Sequence, residues 1–223
     1  VDRDPSTGRN TSDKFDIGRN FANKIWNAVR FALSRLADPV PADAIDARDM
    51  SLPDRWILSR LRQVVAKTNE VLEAFDFNPY ALGLRDFIWN DLCDWYIEAV
   101  KSTIGSNLTQ RRTLATVLDV TLRLLHPVMP FITEALWERL NEVSPGRGIP
   151  GVQVPASDLL VRAKWPVLDP CQIDAEANAD FQSVQQLVGS VREVRATYQV
   201  PPRRPLRCSI QVPELGAKKI EKG

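Results

Sequence analysis

The chain has 223 residues, of which 44% are hydrophobic and 26% charged, and its formal net charge is +1. This composition is typical of a soluble globular protein with one main domain, and the net charge by itself indicates no particular partner. No apolar run approaches the roughly 20 residues needed to span a bilayer, and the polar N-terminus lacks the apolar core of a secretory signal, so we expect a cytoplasmic protein without membrane insertion.

The first predicted element is an amphipathic helix from about Ile17 to Leu36, which follows a polar leader at residues 1–16. At about 100° per residue, one arc of this helix collects the apolar side chains that must face a core. These residues are Phe21, Ile25, Val29, Ala32, Leu33 and Leu36, with Trp26 at the edge of the arc.

Four further amphipathic helices are predicted before residue 143. One begins near LPDRW, where Pro53 suits a first turn. The next is FNPYALGLRDFIWNDLCDWYIEAVKS, with Asn78 as its expected N-cap. Its predicted apolar stripe is Leu84, Ile88, Leu92, Trp95 and Ala99. With the last two helices, Thr109 to Leu125 and FITEALWERLN, the pattern predicts a mainly α fold, an antiparallel helical bundle at residues 17–142.

The organisation changes after the bundle. A Gly- and Pro-rich linker is predicted at residues 143–157. Beyond it, DLLVRAKWP and PLRCSIQVP are predicted as short strands on either side of a helix, ADFQSVQQLVGSVREVRATY. We therefore expect a small α/β unit at residues 158–212 and a polar tail at residues 213–223.

Phe31 is a large aromatic residue on the polar side of the first helix, roughly 140° from the centre of the apolar arc. It lies alongside Asn20, Lys24, Asn27 and Ser34, with Arg19, Asn23 and Arg30 flanking. One explanation needs no function, since single exposed apolar residues are common and a second layer of the protein can cover such a side chain. Recognition of unpaired RNA bases is the other, because it requires an aromatic plane for stacking, donors for base edges and cations for phosphates.

Two segments are locally basic in this nearly neutral chain. Between Lys14 and Leu36, five basic residues accompany one acid, and the same counts hold between Arg192 and Arg207. Such clustering is typical of proteins that meet a polyanion at defined places, although solvated surface is the alternative. The second cluster includes Arg203, Arg204 and Arg207, which are candidate contacts to an RNA backbone.

The sequence offers little support for histidine, cysteine or carboxylate chemistry. The single histidine, His126, stands in LLHPVMP, where packing at a helix end is expected. The three cysteines are far apart and form no CxxC pair, which argues against a disulfide framework and a thiolate zinc site. Asp91, Asp94 and Glu98 are expected to form ion pairs rather than a metal site. We therefore predict no catalytic residue and no metal.

Several segments together resemble a known family. GRNFANKIWNAVRFAL, LPDRWILSRL, FNPYALGLRDFIWNDLCDWYIEAVKS and LLHPVMPFITEALWERL are similar, in this order, to the anticodon-binding domain of the valyl-tRNA synthetases, a class I family. The resemblance covers most of Ile17 to Leu140, and RATYQVPPRRPL resembles the small α/β unit that follows in the family. The isoleucyl enzymes share the bundle and the DRW element, whereas the NKIWNAVRF and DWYIE helices resemble the valyl enzymes.

The resemblance implies binding of the anticodon arm of the tRNA for valine, tRNA(Val). It places one helix against the anticodon loop, with the candidate RNA-binding residues Arg19, Asn23, Lys24, Asn27, Arg30 and Phe31. There Phe31 would stack on a base. Asn27 and Arg30 would read base edges, while Lys24 and Arg19 would contact phosphate. These individual roles are hypotheses from wheel position and donor type.

The parent enzymes of this family are ligases that use ATP and magnesium through HIGH and KMSKS signatures. This chain contains neither signature and no Gly-rich phosphate loop. We therefore expect a monomeric fragment that begins after the catalytic core, needs no cofactor, is inactive alone and has the parent's catalytic domain as a partner. Two alternatives remain, namely the anticodon-binding domain of an isoleucyl-tRNA synthetase and a helical protein-interaction module without a direct RNA role.

Overall fold

The computed structural model describes residues 2–3, 8, 10–36, 47–201, 204, 205, 207 and 209. Two compact units make up the chain, Val1–Asp174 and Ala175–Gly223. The division therefore lies beyond the predicted linker at residues 143–157. This segment packs on the bundle, since Arg147 forms an ion pair with Asp119 and the side chain of Val152 is buried.

The predicted mainly α architecture is confirmed. The α-helices are α1 (Asp13–Arg35), α2 (Leu52–Glu73), α3 (Phe77–Asp86), α4 (Ile97–Val100), α5 (Leu108–Leu125), α6 (Pro130–Val143) and α7 (Ala175–Thr197), with a π-helical segment at Phe87–Tyr96 and short 3-10 turns at Ala47–Asp49, Leu160–Arg162 and Pro170–Gln172. A two-residue hairpin pairs β1 (Asp2–Arg3) with β2 (Asn10–Thr11) in antiparallel register. None of the described helices is long and apolar enough to cross a membrane.

The central element of the first unit is α5, which packs against α1, α2 and α6. Its residues from Thr109 to Leu125 are all buried, because other parts of the unit surround it. Each fully buried leucine on it contributes roughly 1.5–3 kcal/mol relative to an exposed one. Its polar residues need internal partners, and the hydroxyl of Thr116 accordingly donates to the carbonyl of Arg112 at 2.9 Å.

The helix α1 begins at Asp13 rather than at the predicted Ile17. The amide of Phe15 already donates to the carbonyl of Ser12 at 2.8 Å, so a first turn forms there. The predicted apolar arc is otherwise confirmed, since its members are buried apart from Leu33, which is half-buried. These buried residues are Phe21, Ile25, Val29, Ala32 and Leu36.

The predicted start of α2 is confirmed, with Pro53 in its first turn. The backbone amide of Ser51 donates to the Asp54 carboxylate at 3.0 Å. This bond satisfies a backbone donor just before the helix, and the negative charge of Asp54 suits the positive end of the helix dipole.

The predicted third helix runs continuously from Phe77 to Val100, but it differs from the prediction at its start and in its second half. Asp76, and not Asn78, is the N-cap, because Phe75 adopts a positive φ of 55° and the chain turns earlier. A π-helical turn contains more residues than an α-helical one, so Phe87–Tyr96 rotates the following residues around the axis. The predicted stripe is therefore buried at Leu84, Ile88 and Leu92, but Trp95 is only half-buried and Ala99 is exposed. The residues buried in this half of the helix are instead Cys93, Tyr96, Ile97 and Val100.

The predicted strand DLLVRAKWP is wrong, because this segment forms the 3-10 turn Leu160–Arg162. Side chains of the bundle satisfy its backbone in place of a neighbouring strand. The Glu134 carboxylate accepts from the amide of Leu160 at 2.8 Å, and Arg123 donates to the carbonyl of Lys164 at 2.9 Å.

The second unit contains α7, which confirms the helix predicted from ADFQSVQQLVGSVREVRATY. The helix ends at Thr197, and the positive φ of 50° at Gln199 then turns the chain. The predicted strand PLRCSIQVP includes residues 206, 208 and 210–213 outside the described residues, so it stays a prediction. The predicted tail at residues 213–223 also lies outside them.

Candidate nucleic-acid interface

The polar face of α1 presents three donors to solvent. The side chains of Asn23, Asn27 and Arg30 are exposed. Within the described part of the chain, they make no hydrogen bond or ion pair with another side chain. They occupy one face because residues three or four apart are neighbours on a helix. Two amides and one guanidinium are therefore available to an external ligand.

Phe31 lies on the same side of α1 and is half-buried. Two cations flank its ring, since the guanidinium carbon of Arg35 is 5.2 Å from the ring centroid and the ammonium of Lys101 is 5.6 Å from it. Both distances fall within the roughly 6 Å range of a cation–π contact. The ring is thus part of a cationic cluster to which the end of a second helix contributes Lys101.

Lys24 is already engaged within the protein. Its ammonium lies 2.7 Å from the Asp94 carboxylate and 3.9 Å from the ring centroid of Trp89, and its side chain is only 23% exposed. Trp89 in turn stacks on Phe21 at 6.5 Å between ring centroids. Lys24 therefore links α1 to the π-helical segment, and the phosphate contact predicted for it would compete with Asp94.

Arg19 forms an ion pair with Asp16 at 2.7 Å, and both side chains are largely exposed. Exposed pairs of this kind contribute little, typically below about 1 kcal/mol. The pair is local to the first turns of α1, so a phosphate can replace Asp16 at small cost. The predicted phosphate contact of Arg19 is compatible with this geometry.

The second basic cluster lies in the second unit. Arg203 falls outside the described residues, whereas Arg204 and Arg207 are exposed. Arg195 does not point freely into solvent, because its guanidinium donates to the carbonyls of Pro201 at 3.1 Å and Arg204 at 2.9 Å. It stabilises the turn after α7 and so positions Arg204. The RNA-backbone role of the cluster stays a prediction.

The three carboxylates considered as a possible metal site form ion pairs, as expected. Asp91 pairs with Arg60 at 2.9 Å, Asp94 pairs with Lys24 at 2.7 Å, and Glu98 pairs with Lys101 at 3.1 Å. Burial raises the pKa of Asp91, and Arg60 opposes that rise. These carboxylates therefore connect helices or balance a neighbouring cation.

A buried hydrogen bond holds the helix that carries these carboxylates. The hydroxyl of Tyr96, in the π-helical segment, donates to the Asp54 carboxylate at 2.7 Å. Burial raises the pKa of Asp54, while the hydrogen bonds from Ser51 and Tyr96 lower it. Burial and the neighbouring Asp54 carboxylate also raise the pKa of Tyr96 well above its ordinary value. The bond fixes the π-helical segment against the start of α2.

His126 packs at the end of α5, as expected from the sequence. Its Nδ1 atom shares a hydrogen bond of 2.8 Å with the Thr133 hydroxyl, and its Nε2 atom lies 3.8 Å from the Glu134 carboxylate. These contacts join the end of α5 to the start of α6. The Thr133 hydroxyl also lies 2.8 Å from the carbonyl of Met129, so this contact belongs to the turn between the two helices.

Sequence reasoning missed a buried charge network beside α5. Asp119 accepts from Arg123 at 2.5 Å and from Arg147 at 2.7 Å, and all three side chains are at most 3% exposed. Both guanidiniums lie over the ring of Trp137, at 4.9 and 4.6 Å from its centroid. The Asp119 to Arg123 spacing suggests a helical pair, but no local pattern predicts Arg147 as the second partner.

Comparison with known proteins places this chain in a family. The anticodon-binding domain of tRNA ligases matches residues 54–211. The chain is also similar to valine–tRNA ligases. The relative from Pseudothermotoga lettingae is 40% identical over 193 residues, which are 85% of this chain and 20% of the relative.

Two further relatives give the same result. The valine–tRNA ligase of Rhodopirellula baltica is 35% identical over 212 residues, 92% of this chain and 20% of the relative. That of Bacillus subtilis is 37% identical over 195 residues, 85% of this chain and 21% of the relative. The chain thus spans about a fifth of the length of the curated relatives it matches. With the helical bundle and the family match over most of its length, the chain belongs to the anticodon-binding domains of tRNA ligases.

Proposed function

We propose that this chain recognises the anticodon arm of tRNA(Val) through the polar face of α1, as the anticodon-binding part of a valine–tRNA ligase. The family match and the names of the relatives support this function. The family match itself begins at Asp54, after α1. The alignment that covers 92% of the chain is too long to omit α1, and it supports including this helix.

One observation carries the proposal of the site. The side chains of Asn27 and Arg30 are exposed beside Phe31, whose ring has cations within about 6 Å. An unpaired base needs a plane to stack on, donors along its edge and positive charge for its phosphate. This face supplies all three types of group, with the half-buried Phe31 held in place by its neighbours.

The individual roles follow from these positions. Phe31 stacks on an extruded anticodon base, and Asn27 and Arg30 donate to base edges. Asn23 extends the row of donors by one turn. Arg19 contacts phosphate, whereas the ammonium of Lys24 stays with Asp94 and the Trp89 ring and holds α1 in place. Arg203, Arg204 and Arg207 hold the tRNA backbone elsewhere.

The aminoacylation activity belongs to the whole ligase. In it, the catalytic domain is the second partner of this chain, and valine is attached to the tRNA with ATP and magnesium. We expect this chain to be monomeric. We also expect it to be inactive alone, because its sequence has no HIGH or KMSKS signature. A valine-dependent ATP–pyrophosphate exchange assay of the purified chain tests this expectation, and measurable exchange would contradict it.

Binding of an anticodon stem-loop tests the proposal. The loop of tRNA(Val) is compared with the same loop carrying a changed middle anticodon base, at one fixed salt concentration. We expect the unchanged chain to prefer the cognate loop. Phe31→Ala should weaken cognate binding by roughly 1–3 kcal/mol, because the aromatic stack is removed.

The matched control is Phe77→Ala, which removes an exposed phenylalanine at the start of α3. This control should bind both loops as the unchanged chain does. If the unchanged chain binds both loops equally and Phe31→Ala has no effect, α1 is not the helix that reads the anticodon.

A further inference from the structure

Lys101 is not part of the face that the helical wheel predicts, yet the fold brings it to Phe31. It directly follows α4, and its ammonium lies 5.6 Å from the centroid of the Phe31 ring. Arg35, about one turn further along α1, flanks the same ring with its guanidinium carbon 5.2 Å from the centroid. Two cations from different helices therefore lie over the aromatic ring proposed to stack on a base, and a stacking base would displace them towards its own phosphates.

The availability of Lys101 contrasts with that of Lys24. The Lys24 side chain is 23% exposed and contacts both Asp94 and the ring of Trp89. The Lys101 side chain is 52% exposed, and its ion-pair partner Glu98 is 58% exposed. An exposed pair is weak and easily exchanged for a stronger anion, whereas a partly buried ammonium held by two groups is not.

We propose that Lys101 and Arg35 bind the backbone phosphates next to the base that stacks on Phe31, and that Lys24 is a positioning residue that fixes α1. This inference rests on the proposed function and extends its site to a second helix. A phosphate near the ring meets two cations there, and a charge-assisted hydrogen bond forms when it replaces Glu98 at the Lys101 ammonium. The interface then includes residues of α1 together with the residue that follows α4.

The salt dependence of binding distinguishes a phosphate contact from a structural cation. Log K falls as log salt rises, and removing one cation that binds a phosphate in a single-stranded region makes this negative slope shallower by about 0.7. We therefore measure the affinity of the chain for the tRNA(Val) anticodon stem-loop over a salt series. The variants are Lys101→Ala, Lys101→Arg, Lys24→Met and the matched control Lys67→Ala.

Lys67 is a suitable control because it resembles Lys101 locally. It is exposed, and it pairs with Glu70 three residues away at 2.7 Å, as Lys101 pairs with Glu98. It lies on α2, however, and has no contact with Phe31 among the described residues. Any effect specific to Lys101 must therefore come from its position beside the ring.

Lys101→Ala should weaken binding several-fold and make the negative slope shallower by about 0.7, while Lys101→Arg should keep the slope. Lys67→Ala should change neither. Lys24→Met should lower the unfolding temperature and leave the slope unchanged. The inference is overturned if Lys101→Ala has the slope and affinity of Lys67→Ala while Phe31→Ala still weakens binding. If the unchanged chain does not bind the loop at all, the proposed function fails and the inference fails with it.

Discussion

Arginine side chains are used in opposite ways by the buried network around α5 and by the exposed face of α1. Arg123 and Arg147 are 3% and 2% exposed, and both pair with Asp119. Arg30 is exposed and pairs with no described residue. A buried guanidinium must find partners because its desolvation is costly, whereas an exposed one keeps its water until a ligand displaces it. Residue type alone therefore does not identify a binding site.

The network also shows how charges can anchor residues 144–157, which contain an isolated β-bridge between Ile149 and Val152 but no helix or strand. Arg147 donates to the carbonyl of Ser144 at 2.8 Å and to the Asn141 side chain at 2.8 Å. Arg123 donates to the carbonyl of Pro155 at 2.7 Å. Burial lowers the pKa of Arg147, and Asp119 opposes that change. On α1, by contrast, Asn23, Asn27 and Arg30 have no such acceptors among the described residues.

Removing Asp119 should have the largest effect on stability, because it removes the carboxylate at the centre of the buried network. Asp119→Ala leaves two buried guanidiniums without their carboxylate, and the free energy of unfolding should fall by about 3–5 kcal/mol. Denaturant titration measures the decrease. The control is Glu70→Ala, which breaks an exposed pair and should cost less than about 1 kcal/mol. Equal decreases for the two variants would contradict the assignment of Asp119 as a structural residue.

Tyr96→Phe should give the next largest effect. It removes the donor to the buried Asp54 carboxylate, and the free energy of unfolding should fall by roughly 1–3 kcal/mol at neutral pH. The pH dependence gives a second test. Because burial raises the pKa of Asp54 above its ordinary value of 3.8, the folded protein binds a proton more readily than the unfolded chain.

The hydroxyl of Tyr96 favours the charged carboxylate, so the cost of Tyr96→Phe should shrink as pH falls from neutral towards 3.8 and Asp54 is protonated. Unfolding of both proteins at several pH values measures this change. A cost that stays constant or grows on acidification would mean that the hydroxyl does not interact with the ionised carboxylate.

Asn27→Ala should have the smallest effect, and on binding rather than on folding. The exposed amide has no partner among the described residues, so the unfolding free energy should stay within about 0.5 kcal/mol. Affinity for the cognate stem-loop should fall by about 0.5–1.5 kcal/mol, the net contribution of one hydrogen bond. The control is Asn69→Ala on α2, which removes a bond to Trp165 and should not change binding. Reduced stability without reduced affinity would mean that Asn27 supports the fold and does not bind RNA.

Much of the bundle follows from local sequence patterns. The apolar arc of α1 and the start of α2 near Pro53 depend on residues close in sequence, and the structure agrees with both. The stripe of the third helix fails after Leu92, because a π-helical turn changes the rotation per residue. The helical wheel assumes a constant rotation and does not detect that change. The predicted strand after residue 157 fails because its hydrogen-bond partners are side chains of distant helices.

The candidate site was predicted only in part for a similar reason. A helical wheel identifies which residues share a face of α1, and Asn27, Arg30 and Phe31 do so. It gives no information on Lys101, which is 70 residues beyond Phe31 in the chain and reaches it only in the folded bundle. It also does not distinguish Lys24, which contacts Asp94 and Trp89, from an unpaired surface lysine.

Periodicity and motifs within single segments were enough to establish the helical class, the family resemblance and the polar face of α1. Which cations are engaged and which are available was settled by the packing of the helices. Burial and pairing depend on residues far apart in the chain, as with Asp119 and Arg147 or Lys24 and Asp94. Local patterns do not encode these contacts, since they form only when the helices pack together.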